Sequence, residues 1–102
     1  MSEERQKEKA REYLHCSGKS FNFRDFMFLV QGDISARKFI EKCRIGSVFT
    51  VYSLKDPYNA GIPSLKTVRR IAEYIEADAE ELWLAVCRQV YREKEDFTMH
   101  RR

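Results

Sequence analysis

Positive charge is concentrated in one short stretch of the chain, residues 35–55. This stretch carries five basic side chains and one acidic one, whereas residues 56–96 carry six basic and nine acidic ones. A cluster of Lys and Arg is the electrostatic footprint that binding to phosphate groups requires. A solvated basic face of a helix is the competing interpretation. The five basic residues are Arg37, Lys38, Lys42, Arg44 and Lys55.

Residues that commonly carry catalysis or bind metals are few and scattered. Cys16, Cys43 and Cys87 lie far apart without a CxxC pair, which argues against both a zinc site and a disulfide framework. His15 adjoins Cys16, but adjacent residues make a poor chelate, and His100 lies in the C-terminal tail. No nucleophile–base pattern or Gly-rich phosphate loop is present. We therefore expect no metal, no cofactor and no enzymatic activity.

Length and composition predict one folded domain. A chain of 102 residues can bury a single modest core, and its 43% hydrophobic and 34% charged residues are typical of a folded protein. No apolar run approaches the roughly 18 residues of a membrane span, and the charged first residues lack a signal-peptide pattern. We therefore expect a cytoplasmic protein with no membrane association.

Capping residues and apolar spacing predict an all-α fold, a bundle of five to six helices. The expected helices run over 3–15, from the cap Asn22 to Gly32, from the cap Ser35 to about Arg44, over 47–55, onward from the cap Ser64, and from Asp78 to about Lys94. The clearest apolar stripe is formed by Leu65, Val68, Ile71, Ala72 and Ile75. We divide the chain into an N-terminal helix and linker (1–20), a helical domain (21–96) and a flexible tail (97–102).

Residues 47–55 permit two predictions. The stretch is rich in β-branched and aromatic residues, which favours a strand locally. An isolated strand would leave its backbone groups unpaired, and the chain offers no convincing partner strand. We therefore predict a helix here, and the alternative is an edge strand completed by a second subunit.

The most specific pattern in the chain is IPSLKTVRRIAEYIEADAEELW, residues 62–83, in which a Pro-Ser pair opens a helix and a short turn leads to a Glu-Leu pair. With the predicted order of helices, residues 34–83 resemble the helix-turn-helix family of phage repressors and Cro, the lambda repressor-like DNA-binding domains. The positions that match the family pattern are Pro63, Ser64, Thr67, Ile71, Ala72, Ile75, Glu81 and Leu82.

The resemblance implies a repressor-like helix-turn-helix core, with departures upstream. Val51 and Leu54 correspond to buried positions of the recognition helix. The small Ala usual in the preceding helix is Ile40, and the usual turn Gly is Arg44. The spacing to Val51 needs about one extra residue, and the Gly that ends the recognition helix is absent, with Pro57 nearby.

The function that the resemblance implies is sequence-specific binding of double-stranded DNA by a transcriptional regulator, a repressor of bacterial or phage type. The recognition helix of the family enters the major groove. Ser47 and Thr50 would then reach base edges and Phe49 a thymine methyl group, while Tyr52 and Ser53 would lie near phosphate. The five basic residues would hold the DNA backbone.

A protein-interaction module is the alternative function. Residues 47–55 contain no Arg, Asn or Gln, the side chains that make bidentate base contacts, and their aromatic residues suit a protein interface equally well. Such a module would be an antitoxin or an inhibitor carried by a mobile element, with a protein partner in place of DNA.

Apolar side chains on the last predicted helix suggest a homodimer interface. Short repressors dimerise to read a two-fold site, and the candidate anchors are Trp83, Val90 and Tyr91. The alternative role of these three residues is packing against the N-terminal helix.

Overall fold

Five α-helices and one short 3-10 helix have their bounds in the described part of the chain in a computed structural model, and Val51 is a further helical residue. The structure describes residues 2–46, 51 and 63–100, with 93–100 described by their backbone alone. No strand occurs in these ranges, so the predicted all-α class is confirmed. The elements are α1 (Glu3–Cys16), the 3-10 helix (Gly18–Ser20), α2 (Phe23–Gln31), α3 (Ala36–Cys43), α4 (Leu65–Ile75) and α5 (Ala79–His100).

Polar side chains cap the N-termini of α2, α3 and α4 where the sequence predicts them. Asn22, Ser35 and Ser64 each accept a hydrogen bond from the backbone N–H three residues later, at 3.1–3.2 Å. Asp78 accepts one from the N–H of Glu80 at 2.9 Å and so begins α5. Each cap satisfies a donor that the helix itself leaves free and stabilises its helix by about 1 kcal/mol.

Each of the helices α2, α3 and α4 is followed by a residue with a positive φ angle. Gly32 follows α2 with a φ of 59°, a conformation that glycine adopts without steric cost. Arg44 and Glu76 end α3 and α4 with φ values of 59° and 60°. In both cases the next amide bonds to the carbonyl five residues earlier, at 3.2 and 2.9 Å, which satisfies an otherwise unpaired carbonyl.

One hydrophobic core unites the helices. The predicted apolar stripe of α4 is buried at Val68, Ile71, Ala72 and Ile75, whereas Leu65 is 48% exposed. Leu65 is the first residue of α4, one turn before the part of the helix that packs. Aromatic rings fill the space between α1 and α2, with centroids 5.5–6.4 Å apart: Tyr13, Phe21, Phe23 and Phe26.

Side chains of α1 bind the C-terminal ends of two other helices. The amide of Gln6 donates to the carbonyl of Leu29 near the end of α2. The guanidinium of Arg11 donates to the carbonyl of Ile75, the last residue of α4, at 2.6 Å. Because both carbonyls lie in last turns, α1 caps α2 and α4 from outside and is an integral part of the fold.

The other end of the molecule is held by α5. The side-chain oxygen of Gln89 accepts a hydrogen bond of 2.6 Å from the N–H of Phe23, the first residue of α2. Arg92 donates to the carbonyls of Lys19 and Phe21. The connection between α1 and α2 is therefore fixed by two residues of α5.

The last helix is longer than the sequence predicted. It continues to His100, past the expected end near Lys94 and into the segment 97–102 that we assigned to a tail. No Gly or Pro occurs between 79 and 100, and the Glu and Lys residues there are strong helix formers. None of the helices in the described ranges combines the length and apolar character of a membrane span.

Candidate functional site

Four of the ten residues predicted to contact DNA lie together on one side of α3. Phe39 and Cys43 on the opposite side are buried, and Ala36 and Ile40 are half-buried against the core, which leaves the charged positions exposed. Glu41 is the single acid on this exposed side. We define the basic face of α3 as its four exposed cationic residues, Arg37, Lys38, Lys42 and Arg44.

Two members of the basic face lie in the first turn of α3. The N-terminus of a helix carries a partial positive charge, so Arg37 and Lys38 destabilise the helix at this position. No acidic residue in the first turn offsets them. Free backbone N–H groups, a positive helix end and two cations together favour an anion such as phosphate.

Lys42 differs from the other members of the basic face because it has an internal partner. Its Nζ lies 3.0 Å from Oε2 of Glu3 in α1. Tyr74 of α4 donates a hydrogen bond of 3.4 Å to Oε1 of the same carboxylate. The hydrogen bond from Lys42 is the largest cause that holds the pKa of Glu3 below its usual value. Glu3 therefore neutralises part of the positive charge of Lys42, which we predicted to contact phosphate.

The other three members of the basic face, Arg37, Lys38 and Arg44, form no ion pair within the described ranges. The role of Glu3 was not predicted, because its partner Lys42 lies 39 residues away and no local pattern links the two residues. The free charge of the face is thus centred on the N-terminus of α3 and on its C-terminal cap.

Two titratable groups beneath the basic face are held neutral. Burial raises the pKa of Cys43 to about 12. Burial also raises the pKa of Tyr74 to about 12, with a further contribution from the negative charge of Glu3. The ring of Tyr74 lies edge-on to Phe39 at 6.0 Å, and Lys7 lies 4.7 Å above it. Neither group is therefore ionised near neutral pH; Cys43 acts in packing, and Tyr74 both packs and donates its hydrogen bond to Glu3.

The predicted reading element falls almost entirely outside the described residues. Val51 is described; it is helical and fully buried, which makes the strand alternative wrong at that position. Ile45, directly after the left-handed Arg44, is also buried. The predicted contact residues outside the described ranges are Ser47, Phe49, Thr50, Tyr52, Ser53 and Lys55.

The candidate dimer anchors have different environments on α5. Trp83 is half-buried against the core and Val90 is half-buried. Tyr91 is 71% exposed, and Leu84, which we did not predict, is 51% exposed. Leu84 and Tyr91 lie seven residues apart on one side of the helix, and the half-buried Cys87 lies between them. The spacing of Leu84, Cys87 and Tyr91 at i, i+3 and i+7 was the sequence signal that could have identified Leu84 as an interface candidate.

The adjacent His15 and Cys16 near the end of α1 have different surroundings. Nδ1 of His15 lies 3.3 Å from Oε1 of Glu81, and Cys16 is exposed. Within the part of the chain that the structure describes, no three His, Cys, Asp or Glu side chains are grouped so that they could hold a metal ion.

The resemblance of residues 34–83 to phage repressors and Cro depends on the sequence pattern alone. No protein-family model matches this chain, and neither does any curated protein or solved structure.

Proposed function

We propose that the chain is a DNA-binding transcriptional regulator whose basic face contacts the phosphate backbone. The observation that carries this proposal is the position of Arg37 and Lys38, exposed in the first turn of α3 without a carboxylate partner among the described residues. Their charge weakens α3 in the free protein. A phosphate group at this helix end would remove the repulsion and bind the free N–H groups.

A helix-turn-helix arrangement is part of the proposal. Three features support it: the left-handed Arg44 that ends α3, the buried Ile45 that follows, and the buried, helical Val51. In the repressor family a turn glycine ends the first helix of the motif, and here Arg44 adopts the backbone conformation that favours glycine. Residues 47–55 would then form the helix that enters the major groove.

Salt dependence distinguishes phosphate binding from adventitious association. The three unpaired cations of the basic face would release about three counterions, so the logarithm of the binding constant should fall against the logarithm of the salt concentration with a slope near −2.7 per subunit. We would measure fluorescence anisotropy with mixed-sequence duplexes at about 50 and 200 mM salt.

A pair of double variants tests the role of the basic face. Arg37→Glu with Lys38→Glu should weaken binding more than tenfold and flatten the salt slope by about two. The matched control, Lys9→Glu with Arg24→Glu, changes the net charge equally on the exposed sides of α1 and α2. Equal losses in both variants would show that only net charge matters and would contradict the proposal.

Loss of folding would not explain a loss of binding in the first variant. Carboxylates at the N-terminus of α3 interact favourably with the helix dipole and should stabilise the helix by about 0.3–1 kcal/mol each. We therefore expect the Arg37→Glu, Lys38→Glu protein to unfold at a higher urea concentration than the wild type. This substitution is preferable to one at Lys42, which would also disrupt the ion pair with Glu3.

Sequence specificity is tested by selection from random duplexes. A regulator should enrich one recurrent sequence, and a dimer should enrich two related half-sites about one helical turn apart. Binding that remains uniform across sequences would reduce the function to non-specific DNA association.

The outer side of α5 favours a second candidate function, interaction with a protein. Leu84 and Tyr91 expose apolar surface that a partner could cover. A second copy of the chain is the partner compatible with DNA binding, because a two-fold protein matches a palindromic site. If the chain is instead an inhibitor module, the Arg37→Glu, Lys38→Glu variant should still bind its partner.

A further inference from the structure

A small cavity of about 230 Å³ lies where the 3-10 helix meets the middle of α5. Its floor is apolar and is formed by Phe21 and Ala85, both almost completely buried. Its rim is cationic and is formed by Lys19, Arg88 and Arg92. No carboxylate lines it among the described residues.

The cationic rim is unfavourable in the absence of a ligand. Arg88 and Arg92 are four residues apart on α5, where like charges repel and destabilise a helix. Neither Lys19 nor Arg88 has an ion-pair partner in the described ranges. A negative charge in the cavity would offset both the repulsion and the missing partners.

Neighbouring backbone groups hold part of the cavity wall in place. Arg92 donates to the carbonyls of Lys19 and Phe21, and its guanidinium has five N–H donors in all. Gln89 is positioned by the N–H of Phe23. A ligand would therefore contact side chains that are already oriented, so binding would cost less side-chain conformational entropy.

We propose that this cavity binds a carboxylate carried on a small apolar group, in the size range of one aromatic side chain. Arg88 and Lys19 would bind the carboxylate, while Phe21 and Ala85 would contact the apolar group. The cavity is smaller than the roughly 300–1,000 Å³ of sites for drug-sized ligands, which sets the size of the group. Either a free aromatic acid or the C-terminal residue of a polypeptide has this chemistry.

The cavity is independent of the proposed DNA contact. Glu3, at the start of α1, touches Lys42 of the basic face, whereas Gly18 and Lys19 follow the end of α1. A helix of 14 residues separates the two regions by about 20 Å. The binding experiment therefore needs no DNA.

Amide chemical shifts of the full chain, followed by NMR during ligand titration, test the proposal. The probes are phenylacetate and N-acetylphenylalanine, each compared with its neutral amide, and inorganic phosphate. At least one of the two acids should shift amides in 18–21 and 85–92, and its amide should bind at least about tenfold more weakly. Phenylacetate alone would identify a free acid as the ligand class, and N-acetylphenylalanine alone would identify a polypeptide C-terminus.

Arg88→Gln should weaken binding of the acid at least about fivefold, since it removes one charged donor from an exposed position. The matched control is Arg69→Gln, which removes an exposed cation from α4. Binding of neither acid would overturn the proposal, as would equal binding of acid and amide, or unchanged affinity in Arg88→Gln. Phosphate that binds as tightly as the acids would contradict the role of the apolar floor.

Discussion

Arg44 ends α3 in a left-handed backbone conformation that ordinarily selects glycine. The Cβ atom of an L-residue makes this conformation unfavourable by about 1–2 kcal/mol. Arg44 places a positive charge next to the turn after α3, where the DNA backbone would lie in the proposed complex. Under the proposed function, this loss of stability would accompany a contact that the chain retains.

Arg44→Gly should therefore stabilise the fold. We expect a gain of about 0.5–1 kcal/mol in the free energy of unfolding, after the greater freedom of glycine in the unfolded chain is subtracted. Thermal unfolding measures it. Arg44→Ala is the control, because it removes the same charge and keeps the Cβ atom, and it should show no gain. DNA affinity should fall equally in both variants.

Cys43 makes stability depend on alkaline pH. Its pKa rises from an ordinary value of 9.0 to about 12 in the folded chain, so above pH 9 the unfolded chain releases a proton that the folded chain keeps. Stability is complete below pH 9 and falls as the pH rises towards 12, by up to about 1.4 kcal/mol per pH unit for this group. Tyr74 contributes in the same direction from pH 10 upward.

Urea unfolding at pH 8, 9.5 and 10.5 measures this dependence. The Cys43→Ala variant should be less stable than the wild type at pH 8, since it leaves a cavity in the core, but its free energy of unfolding should fall less steeply above pH 9. An identical slope in wild type and variant would show that folding does not raise the pKa of Cys43.

At the scale of elements, the features that were predicted correctly are those that depend on residues close together in the sequence. The caps Asn22, Ser35 and Ser64 were predictable because each bonds to an amide three residues away. The roles of Gln6 and Arg11 were not, since their carbonyl partners lie 23 and 64 residues away. In α1 both residues look like ordinary members of a charged helix surface.

The same distinction applies to the candidate site. The basic residues of α3 follow from helical spacing within eight residues, and the structure places Arg37, Lys38 and Lys42 on one exposed side. The partial neutralisation of Lys42 by Glu3 depends on how α1 packs, so no local pattern contains it.

Arg11 provides a test of how α1 supports the other helices. Arg11→Met keeps the aliphatic part of the side chain and removes the hydrogen bond to the carbonyl of Ile75. We expect a loss of about 1.5–3 kcal/mol, the usual range for a charged hydrogen bond, seen as a lower urea midpoint. Lys9→Met, an exposed position on the same helix, should change stability little. Equal stability of the two variants would contradict the capping role of α1.

At the scale of the whole molecule, two exposed surfaces define how the chain would act. The basic face of α3 would provide the proposed phosphate contacts, and the outer side of α5 exposes Leu84 and Tyr91. A single chain with about three free cations would bind DNA weakly at physiological salt. Two chains joined through α5 would present two basic faces to one duplex and so combine their affinities.

The outer side of α5 has the length that such an interface needs. Its 22 residues span about 33 Å, and a stable interface buries at least about 1,000 Å². Apolar anchors at intervals of seven residues suit the packing of two helices against each other. The predicted anchors Trp83 and Val90 have the same spacing of seven but are half-buried, so the exposed Leu84 and the predicted Tyr91 suit the interface better.

Leu84→Asp with Tyr91→Asp should therefore convert a dimer into a monomer. Light scattering should give twice the 12.2 kDa chain mass for the wild type and the chain mass for the variant. Leu65→Asp is the control, since Leu65 is 48% exposed on α4 and should leave the dimer intact. A monomeric wild type would contradict the interface. If the monomeric variant still binds a single half-site and loses only its preference for the two-fold site, α5 sets the symmetry of recognition and α3 supplies the phosphate contacts.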